Sequence, residues 1–357
     1  MMIYNAKPGQ TLAEICDEIY LENPDYLRDF HNENSPLTEY IEGDIVHATR
    51  LSVPSPKQIK EINLRIKENH ESFYDFPADG QFPFAFDLWD GEYQITRTVY
   101  FNEEILNNYE QKVQLTFEFI KDNDLYFRFS AFDFKKNDEI SDHKVSTLAK
   151  MCMEIIYPVR LVISSNGKIQ NIEPTKDHTD ISAELDSVKN FFPDQYSSAY
   201  IEKMKNIVKD PKAFLEKFKN TLLNTFMFGA FYRTKLGNWT SSDVYSDFYP
   251  WLFDAQPVRF EFRNTLLPKE SLDDEWIKIL QKGTSSDNRN QEALHSEDSQ
   301  YRNTEITYKS IDCEHFAEYI FNRKKNSLQR IEAIFRNYVQ ENIEKEIFLL
   351  EKMKDNN

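Results

Sequence analysis

The chain has 357 residues with 60 acidic and 43 basic side chains, which gives a formal net charge of -17 at pH 7. This balance argues against a nucleic-acid partner, because no basic block offsets the acidic surface, and it would also repel anionic membranes. Aromatic side chains make up 14% of the residues, with 28 Phe and 19 Tyr, which favours a sheet-rich core.

The N-terminal residues show no cationic start and no apolar run with a small-residue cleavage site, so we expect no signal peptide. No stretch approaches ~18 consecutive apolar residues, so we expect no membrane-spanning helix. The three cysteines are far apart, which is typical of reduced thiols: Cys16, Cys152 and Cys313. These features predict a cytoplasmic protein, or one that a secretion apparatus carries outside.

Residues 3–54 predict a compact β-α-α-β unit. A short apolar strand at Ile3 and Tyr4 leads into a turn at Pro8-Gly9. Thr11 is placed to cap a helix whose apolar residues recur at three- and four-residue spacing, namely Leu12, Ile15, Cys16 and Ile19. The remaining predicted elements are a second helix at 25–31, turns at 32–36 and 41–46, and a closing strand at 51–54.

This unit resembles a LysM module, a small carbohydrate-binding repeat of cell-wall enzymes and phage-tail parts. The resemblance covers residues 2–55, and residues 47–50 intervene where the family usually runs straight into its last strand. The residues that carry it are Tyr4, Lys7 to Leu12, Ile15, Cys16, Asn32, Asn34, Pro36, Gly43 to Ile45, and Leu51 to Pro54.

In that family, the sugar groove lies between the loop after the first strand and the loop before the second. The resemblance therefore implies a glycan- or partner-binding site in two loops, formed here by Lys7, Pro8, Gly9, Gln10 and Thr11 and by Asn34, Ser35 and Pro36. Backbone amides and a short apolar floor would suit an N-acetylated sugar. The turn and the helix cap alone also account for Pro8, Gly9 and Thr11.

A helix should begin at Ser55-Pro56, where serine can cap and proline suits the first turn. Its apolar stripe is Ile59, Ile62, Ile66 and Phe73, and we expect that stripe to pack on the following domain. Residues 75–83 contain two prolines and a glycine and predict the domain boundary.

From 84 to 173 the apolar period changes to two, which predicts an antiparallel meander. Loops at 121–124 and at Asn166-Gly167 fit hairpin turns. The predicted strands are 93–101, 113–119, 125–131, 159–164 and 168–173. Cys152, between two methionines, is expected in an apolar strand of the core.

Residues 180–228 predict three helices. Their expected starts are Asp180 or Ser182, then Ser197 or Ser198, then Asp210 with Pro211 in the first turn. The third helix should stop at Gly229, and its inward side chains should be Phe214, Leu215, Phe218, Leu222 and Phe226. The aromatic stretch 248–253 is either an exposed partner-binding patch or a loop folded over the core.

Strands are predicted at 258–262, 306–311 and 317–321. Ser271 with Asp274 resembles a capping box for a short helix that carries Trp276, Ile279 and Leu280. Residues 283–300 predict a mobile polar loop. The tail, 328–353, fits either a helix or a strand hairpin around 340–342, and the alternation at 330–335 favours the hairpin.

Catalytic, metal and cofactor sites are not expected. Cys313 and His315 would share one face of a strand, but no second ligand pair accompanies them, so a buried thiol is the simpler interpretation. The carboxylates that a glycan-cleaving pair would draw on show no distinctive spacing: Asp87, Asp90, Glu92, Asp273, Asp274 and Glu275. The sequence also has no phosphate-binding glycine loop and no nucleophile elbow.

The sequence thus predicts an α+β protein with a LysM-like module at 1–55, a helical connector at 56–80 and a larger antiparallel-sheet domain with an inserted helical layer at 81–357. The large domain should hold strands at 84–173, helices at 180–228, and strands with one helix at 244–353.

The resemblance favours a non-catalytic adaptor of a bacterial contractile injection apparatus, either type VI secretion-like or phage-tail-like. Its partner would be a spike, baseplate or effector protein. The alternative is a binder of peptidoglycan or another glycan that contains N-acetylglucosamine.

Overall fold

The computed structural model describes residues 2–41, 43, 50–68, 88–137, 144–164, 167–237, 241–252, 255–266, 276–295, 310–322, 327–339 and 342–353. Within these ranges the chain is an α+β protein, as the sequence predicts. It forms a small β-α-α-β unit and a large antiparallel sheet with inserted helices. No helix in the described part of the chain is long and apolar enough to cross a membrane.

The N-terminal module follows the predicted order. Its elements are β1 (Met2–Asn5), α1 (Leu12–Ile19), α2 (Pro24–Glu33), a short 3₁₀ helix (Leu37–Glu39) and β2 (Arg50–Val53). The two strands pair antiparallel, with Met2 opposite Val53. Thr11 caps α1 in a reciprocal capping box with Glu14, which confirms the predicted start of this helix. Residues 44–46 of the predicted turn at 41–46 lie outside the described residues.

Helix α3 (Pro56–Glu68) belongs to the core of this module. The prediction that its apolar stripe packs on the following domain is wrong, because the stripe lies in one cluster with the apolar residues of α1, α2 and β2. The side chain of Asn63 joins the helix to the end of α1 by two hydrogen bonds. Its Oδ1 accepts from the backbone N–H of Glu22 (3.0 Å), and its Nδ2 donates to the carbonyl of Tyr20 (2.8 Å). Phe73 and the predicted boundary at 75–83 lie outside the described residues.

The large sheet contains thirteen strands in the described part of the chain. They are β3 (Gly91–Phe101), β4 (Glu104–Lys121), β5 (Asp124–Lys136), β6 (Val159–Ile163), β7 (Ile169–Pro174), β8 (Leu236–Gly237), β9 (Ser241–Ser242), β10 (Tyr245–Tyr249), β11 (Val258–Leu266), β12 (Trp276–Ser285), β13 (Cys313–Asn322), β14 (Ser327–Val339) and β15 (Asn342–Lys352).

The strand order is β7-β6-β5-β4-β3-β15-β14-β13-β12-β11-β9-β8, with β10 also paired to β11. In the described part of the chain, the last strand, β15, pairs antiparallel with β3, and Leu350 lies opposite Ile95. This pairing joins strands β3–β7 to strands β8–β15 in one continuous sheet.

Helices cover one face of the sheet. They are α4 (Lys144–Ile156), α5 (His178–Val188), α6 (Gln195–Lys209), α7 (Pro211–Lys219) and α8 (Leu222–Phe228), followed by a 3₁₀ turn (Ala230–Arg233) and, later, the short α9 (Gln291–Leu294). Aromatic rings join the two layers: Phe226 stacks on Phe348 with centroids 4.7 Å apart, and Phe231 stacks on Tyr319 at 3.8 Å.

Several helix predictions need correction. Helix α4 lies inside the segment predicted to be all strand, so Cys152 is a helical core residue. The caps of α5 and α6 are Asp177 and Asp194, which lie upstream of the predicted starts. The Asp210-Pro211 start is confirmed, but the third predicted helix is two helices, because Thr221 caps α8.

The predicted helix at Trp276–Leu280 is wrong, because these residues begin β12. Alternating residues of that segment are buried and pair with β13, so tertiary pairing overrides a spacing that also fitted a helix. The predicted capping box, Ser271 with Asp274, lies outside the described residues. The predicted loop at 283–300 is also partly wrong: residues 283–285 end β12, and 291–294 form α9.

The tail forms the favoured strand hairpin, since β14 and β15 pair from Val339 and Asn342 outward. The strands predicted at 93–101, 113–119, 125–131, 258–262 and 317–321 are confirmed within longer strands. Of the predicted strand at 306–311, only Ser310 and Ile311 are described, and Ser310 makes an isolated bridge to Asn290.

Candidate functional site

The first predicted binding loop, residues 7–11, is tied to α1 by its own side chains. Gln10 is buried, its carbonyl oxygen accepts from the backbone N–H of Lys7 (3.0 Å), and its amide donates to Tyr4 Oη and Glu18 Oε1 (both 3.0 Å). Tyr4 also donates to Glu18, and partial burial together with this bond raises the tyrosine pKa. The amide of Gln10 is therefore used inside the module.

The second predicted loop, residues 34–36, is held by a fully buried histidine. His31 Nε2 donates to the carbonyl of Glu39 (2.9 Å), and its Nδ1 accepts from the backbone N–H of Ser52 (3.0 Å). The hydroxyl of Ser35 lies 3.2 Å from His31 Nδ1 and donates to Ser52 Oγ. Asn34 donates to the carbonyl of Phe30 (2.8 Å).

In the described part of the module, no hydrogen bond links the two predicted loops. In the first loop, Gln10 bonds to Tyr4 and Thr11 bonds to Glu14. In the second loop, Ser35 bonds to Ser52 and Asn34 bonds to Phe30. The exposed residues of the first loop are Lys7, Pro8 and Gly9, and those of the second are Asn34 and Pro36. Gly9 has φ +77° with open space above its Cα, so a ligand at this site would meet mainly backbone groups.

A different surface of the module is apolar and open. A cavity of about 620 Å³ lies between the start of β1, the end of α1 and the outer side of α3; we call it the module groove. Its lining includes Met2, Ile19, Tyr20 and Leu64, and the exposed fractions of Met2, Tyr20 and Leu64 are 43%, 43% and 61%. Lys60 and Glu18 also line it, which gives the groove a charged edge.

The sequence held one signal for this groove. Leu64 is a large apolar residue that does not belong to the α3 stripe of Ile59, Ile62 and Ile66. An apolar side chain on the polar face of a helix can indicate a contact site. Tyr20 gave no such signal, because its outward position follows from a left-handed backbone (φ 64°) at the end of α1.

In the large domain, Cys313 and His315 share the buried face of β13 as predicted. The thiol donates to Asn337 Oδ1 (3.4 Å), and burial raises its pKa well above the usual value. His315 Nε2 is 2.8 Å from Gln281 Oε1, and burial lowers the histidine pKa to about 3. Both side chains are core residues, and within the described ranges no cluster of His, Cys, Asp or Glu could hold a metal ion.

The aromatic stretch predicted as an exposed patch or a core-covering loop is divided in the structure: residues 248 and 249 end β10, and 250–252 are irregular. Tyr249 and Trp251 are buried, and Trp251 stacks on Phe335 at 5.2 Å, whereas Phe248 is 53% exposed. Phe253 lies outside the described residues. Of the candidate carboxylates, Asp90 accepts from the backbone N–H of Phe117 (2.9 Å), while Asp87, Asp273, Asp274 and Glu275 lie outside the described residues.

Comparisons with known proteins identify no family. No protein-family model matches the sequence, and no curated protein matches it. One matching solved structure is described as lipid–protein interactions in lipovitellin, with 10% sequence identity and a TM-score of 0.34. The match covers 74% of this chain and 24% of that chain, so the present chain spans about a quarter of the length of the matched one. A likeness this distant gives no information on what the chain binds.

Of the surfaces that the structure describes on the N-terminal module, the module groove is the one best suited to a partner. It combines exposed apolar side chains with a concave shape, the combination found at protein–protein contact sites. An apolar side chain on a partner would displace water from Leu64 and Tyr20, and each fully buried large side chain contributes about 1.5–3 kcal/mol.

Proposed function

We propose that this chain is a non-catalytic adaptor that docks a protein partner through the module groove. The observation that carries the proposal is the 61% exposure of Leu64 beside Tyr20 and Met2 in a concave surface. In contrast, Gln10, Thr11 and Ser35 of the two predicted glycan loops are already bonded inside the module. A polar ligand therefore gains little from those side chains, while an apolar segment gains from the groove.

The partner that we propose is a spike, baseplate or effector protein of a bacterial contractile injection apparatus. This part of the proposal rests on the resemblance of residues 2–55 to LysM modules. The groove adds a physical requirement: the contacting segment of the partner should present apolar side chains, with a charged residue near Lys60 or Glu18.

The test is affinity capture from a native host lysate with three forms of the full-length chain: the unchanged protein, Leu64→Glu and Tyr40→Glu. Tyr40 is a matched control, because it is 45% exposed on the same module and does not line the groove. We expect the unchanged protein and Tyr40→Glu to retain the same spike, baseplate or effector protein. Leu64→Glu should lose it, since a carboxylate in an apolar contact costs well over ~1.4 kcal/mol, which is tenfold in affinity.

Two results would count against the proposal. One is an equal set of recovered proteins for all three forms. The other is cosedimentation of the chain with insoluble cell-wall material, unchanged by Leu64→Glu and lost with a bulky substitution at the glycan loop, Gly9→Trp. That second result would support the alternative of a glycan binder that contacts backbone groups near Gly9.

A further inference from the structure

The large domain contains a second cavity, of about 470 Å³, between the sheet and its helical layer; we call it the sheet cavity. It lies where β3, β4, β5 and β15 face α4 and the start of α8. Its volume is within the ~300–1,000 Å³ typical of small-molecule sites. The cavity is independent of the module groove and of any partner docked there.

The cavity exists because α4 presents two different faces. Leu148, Cys152 and Ile156 pack into the core, whereas Ser146, Ala149, Lys150 and Met153 line the cavity at helical spacing. Ser146 and Ala149 are too small to fill the space between the helix and the sheet. A leucine at position 149 would suit the helix as well as alanine does, so the gap is not required by the helix itself.

The interior of the cavity is apolar. Six large apolar side chains line it, from both the sheet and the helices: Ile95, Phe134, Met153, Leu222, Leu223 and Phe348. Arg97 also lines it, but its charge is already compensated. The Arg97 guanidinium donates to both carboxylate oxygens of the buried Glu346 (2.6 and 2.9 Å) and to the carbonyl of Trp251 (3.1 Å).

The mouth of the cavity is cationic. Lys135, Lys136 and Lys150 line it and reach solvent, with Lys135 side chain 46% exposed and Lys150 35%. Glu110 of the same lining lies 3.9 Å from Lys135, and Glu154, outside the lining, lies 3.8 Å from Lys150; both distances are longer than the hydrogen-bonded contacts between Arg97 and Glu346. Three lysines around one opening are notable in a chain with a net charge of -17, and they favour an anionic group at this point.

We propose that the sheet cavity binds a single-chain amphiphile with an anionic head group, a free fatty acid or a lysophospholipid. The hydrocarbon chain lies among the six apolar side chains, and the head group lies at Lys135, Lys136 and Lys150. The compensated charge of Arg97 favours this orientation, because a guanidinium already paired with Glu346 attracts a carboxylate or phosphate less than the three lysines do.

The test is displacement of a dansyl-labelled fatty acid from the full-length chain by oleate, lysophosphatidylglycerol or dodecanol. We expect at least one of the two anionic competitors to displace the probe about tenfold better than the neutral alcohol. Displacement by oleate alone identifies a free fatty acid, and displacement by lysophosphatidylglycerol alone identifies a phospholipid source. Failure to bind the probe, or equal displacement by dodecanol, would overturn the proposal.

Two sets of variants locate the site. Ala149→Leu should fill the cavity and weaken probe binding about tenfold or more, whereas Val145→Leu, at a 75% exposed position of the same helix, should not. Lys135→Gln with Lys150→Gln should weaken oleate binding about tenfold and leave dodecanol unchanged. The control is Lys203→Gln with Lys209→Gln, two exposed lysines of α6.

The lysine variants are surface changes, so they decide the question even if Ala149→Leu does not fold. Unchanged oleate affinity in the Lys135/Lys150 double variant would contradict the proposed head-group site. Unchanged probe affinity in a folded Ala149→Leu variant would contradict the proposed tail site.

Discussion

Two histidines, one in each part of the protein, are fully buried but are held in different ways. His31 in the N-terminal module uses both ring nitrogens on backbone groups, the carbonyl of Glu39 and the N–H of Ser52. His315 in the large sheet contacts the side chain of Gln281 through Nε2, while its Nδ1 has no hydrogen-bond partner among the described residues. Aromatic rings surround His315, with Phe335 at 4.6 Å.

The difference reflects how each region satisfies its buried polar atoms. The module is small and aliphatic in its core, so its buried His31 and Asn63 fix the ends of helices and turns. Around His315, the large domain instead joins polar side chains to each other. Gln281 accepts from Tyr249 and Tyr319 and donates to Tyr245 (2.7 Å) within an aromatic core. Removing one of these hydrogen bonds in the module should therefore free a turn to move. Removing an aromatic ring from the core of the large domain should instead leave a cavity.

The largest expected effect is in the aromatic core of the large domain. Phe226→Ala removes a ring that contacts Phe348, Tyr249 and His315, and we expect a loss of about 4 kcal/mol in the free energy of unfolding. All four tryptophans of the chain lie beyond residue 88, so urea unfolding followed by tryptophan fluorescence reports this domain alone. Phe248→Ala, at an exposed position, is the control. Equal midpoints for the two variants would contradict the prediction.

The next effect tests the module. His31→Phe leaves the N–H of Ser52 and the carbonyl of Glu39 without their partner, and we expect a loss of about 3 kcal/mol confined to residues 2–68. Hydrogen exchange of the module amides measures it, with tryptophan fluorescence unchanged. His178→Phe, an exposed histidine in the large domain, should leave module exchange unaltered. Unchanged exchange at β2 in His31→Phe would show that the histidine is not needed to hold this strand.

The third prediction concerns pH. Burial lowers the pKa of His315 to about 3, against 6.5 for an exposed histidine, so between these values the unfolded chain binds a proton that the native domain does not. Stability contributed by neutral His315 is therefore present above pH 6.5 and is lost as the pH falls, by about 2 kcal/mol at pH 5. His315→Gln should lower the pH 7 to pH 5 difference by that amount. An identical difference in both proteins would refute this account.

The smallest effect is at the start of α1. Thr11→Ala removes the side chain that accepts from the backbone N–H of Glu14, and we expect a loss of about 1 kcal/mol. Faster exchange of the Glu14 amide measures it, and Thr11→Ser should restore the slow rate. If alanine and serine give the same rate, the capping box does not contribute to the stability of the module.

Local sequence was enough where the relevant interaction is local. The Pro8-Gly9 turn, the Thr11 cap and the Asp210-Pro211 start are each set by neighbouring residues, and the structure has them as predicted. The alternation of β5 and β14 likewise identified strands with one buried face, whereas in β4 only Val113 and Leu115 are buried and Phe119 is exposed. These features depend on backbone conformation and on the two-residue period, which act over a few residues.

The predictions that were wrong concern features that depend on contacts between distant residues. Trp276, Ile279 and Leu280 fit both a helix stripe and a strand, and only pairing with β13 decides between them. The stripe of α3 is apolar by sequence, but whether it faces its own module or the next domain depends on a cluster with Leu27 and Leu51. The same limit applies to the module groove, because exposure of Leu64 is a property of the packed module.

The sequence by itself determined the α+β class, the β-α-α-β module and the helical segment, and it favoured the final hairpin over a helix, because apolar period, helix caps and turns depend on residues that are close together in the sequence. Tertiary structure alone decided which polar groups are free to bind. Gln10 and Ser35 are occupied by partners in the folded module, and the sheet cavity forms because α4 turns Ala149 towards strands that lie far away in the chain. A binding surface consists of the side chains that have no partner inside the folded protein. Which side chains these are depends on contacts between residues that are distant in the sequence.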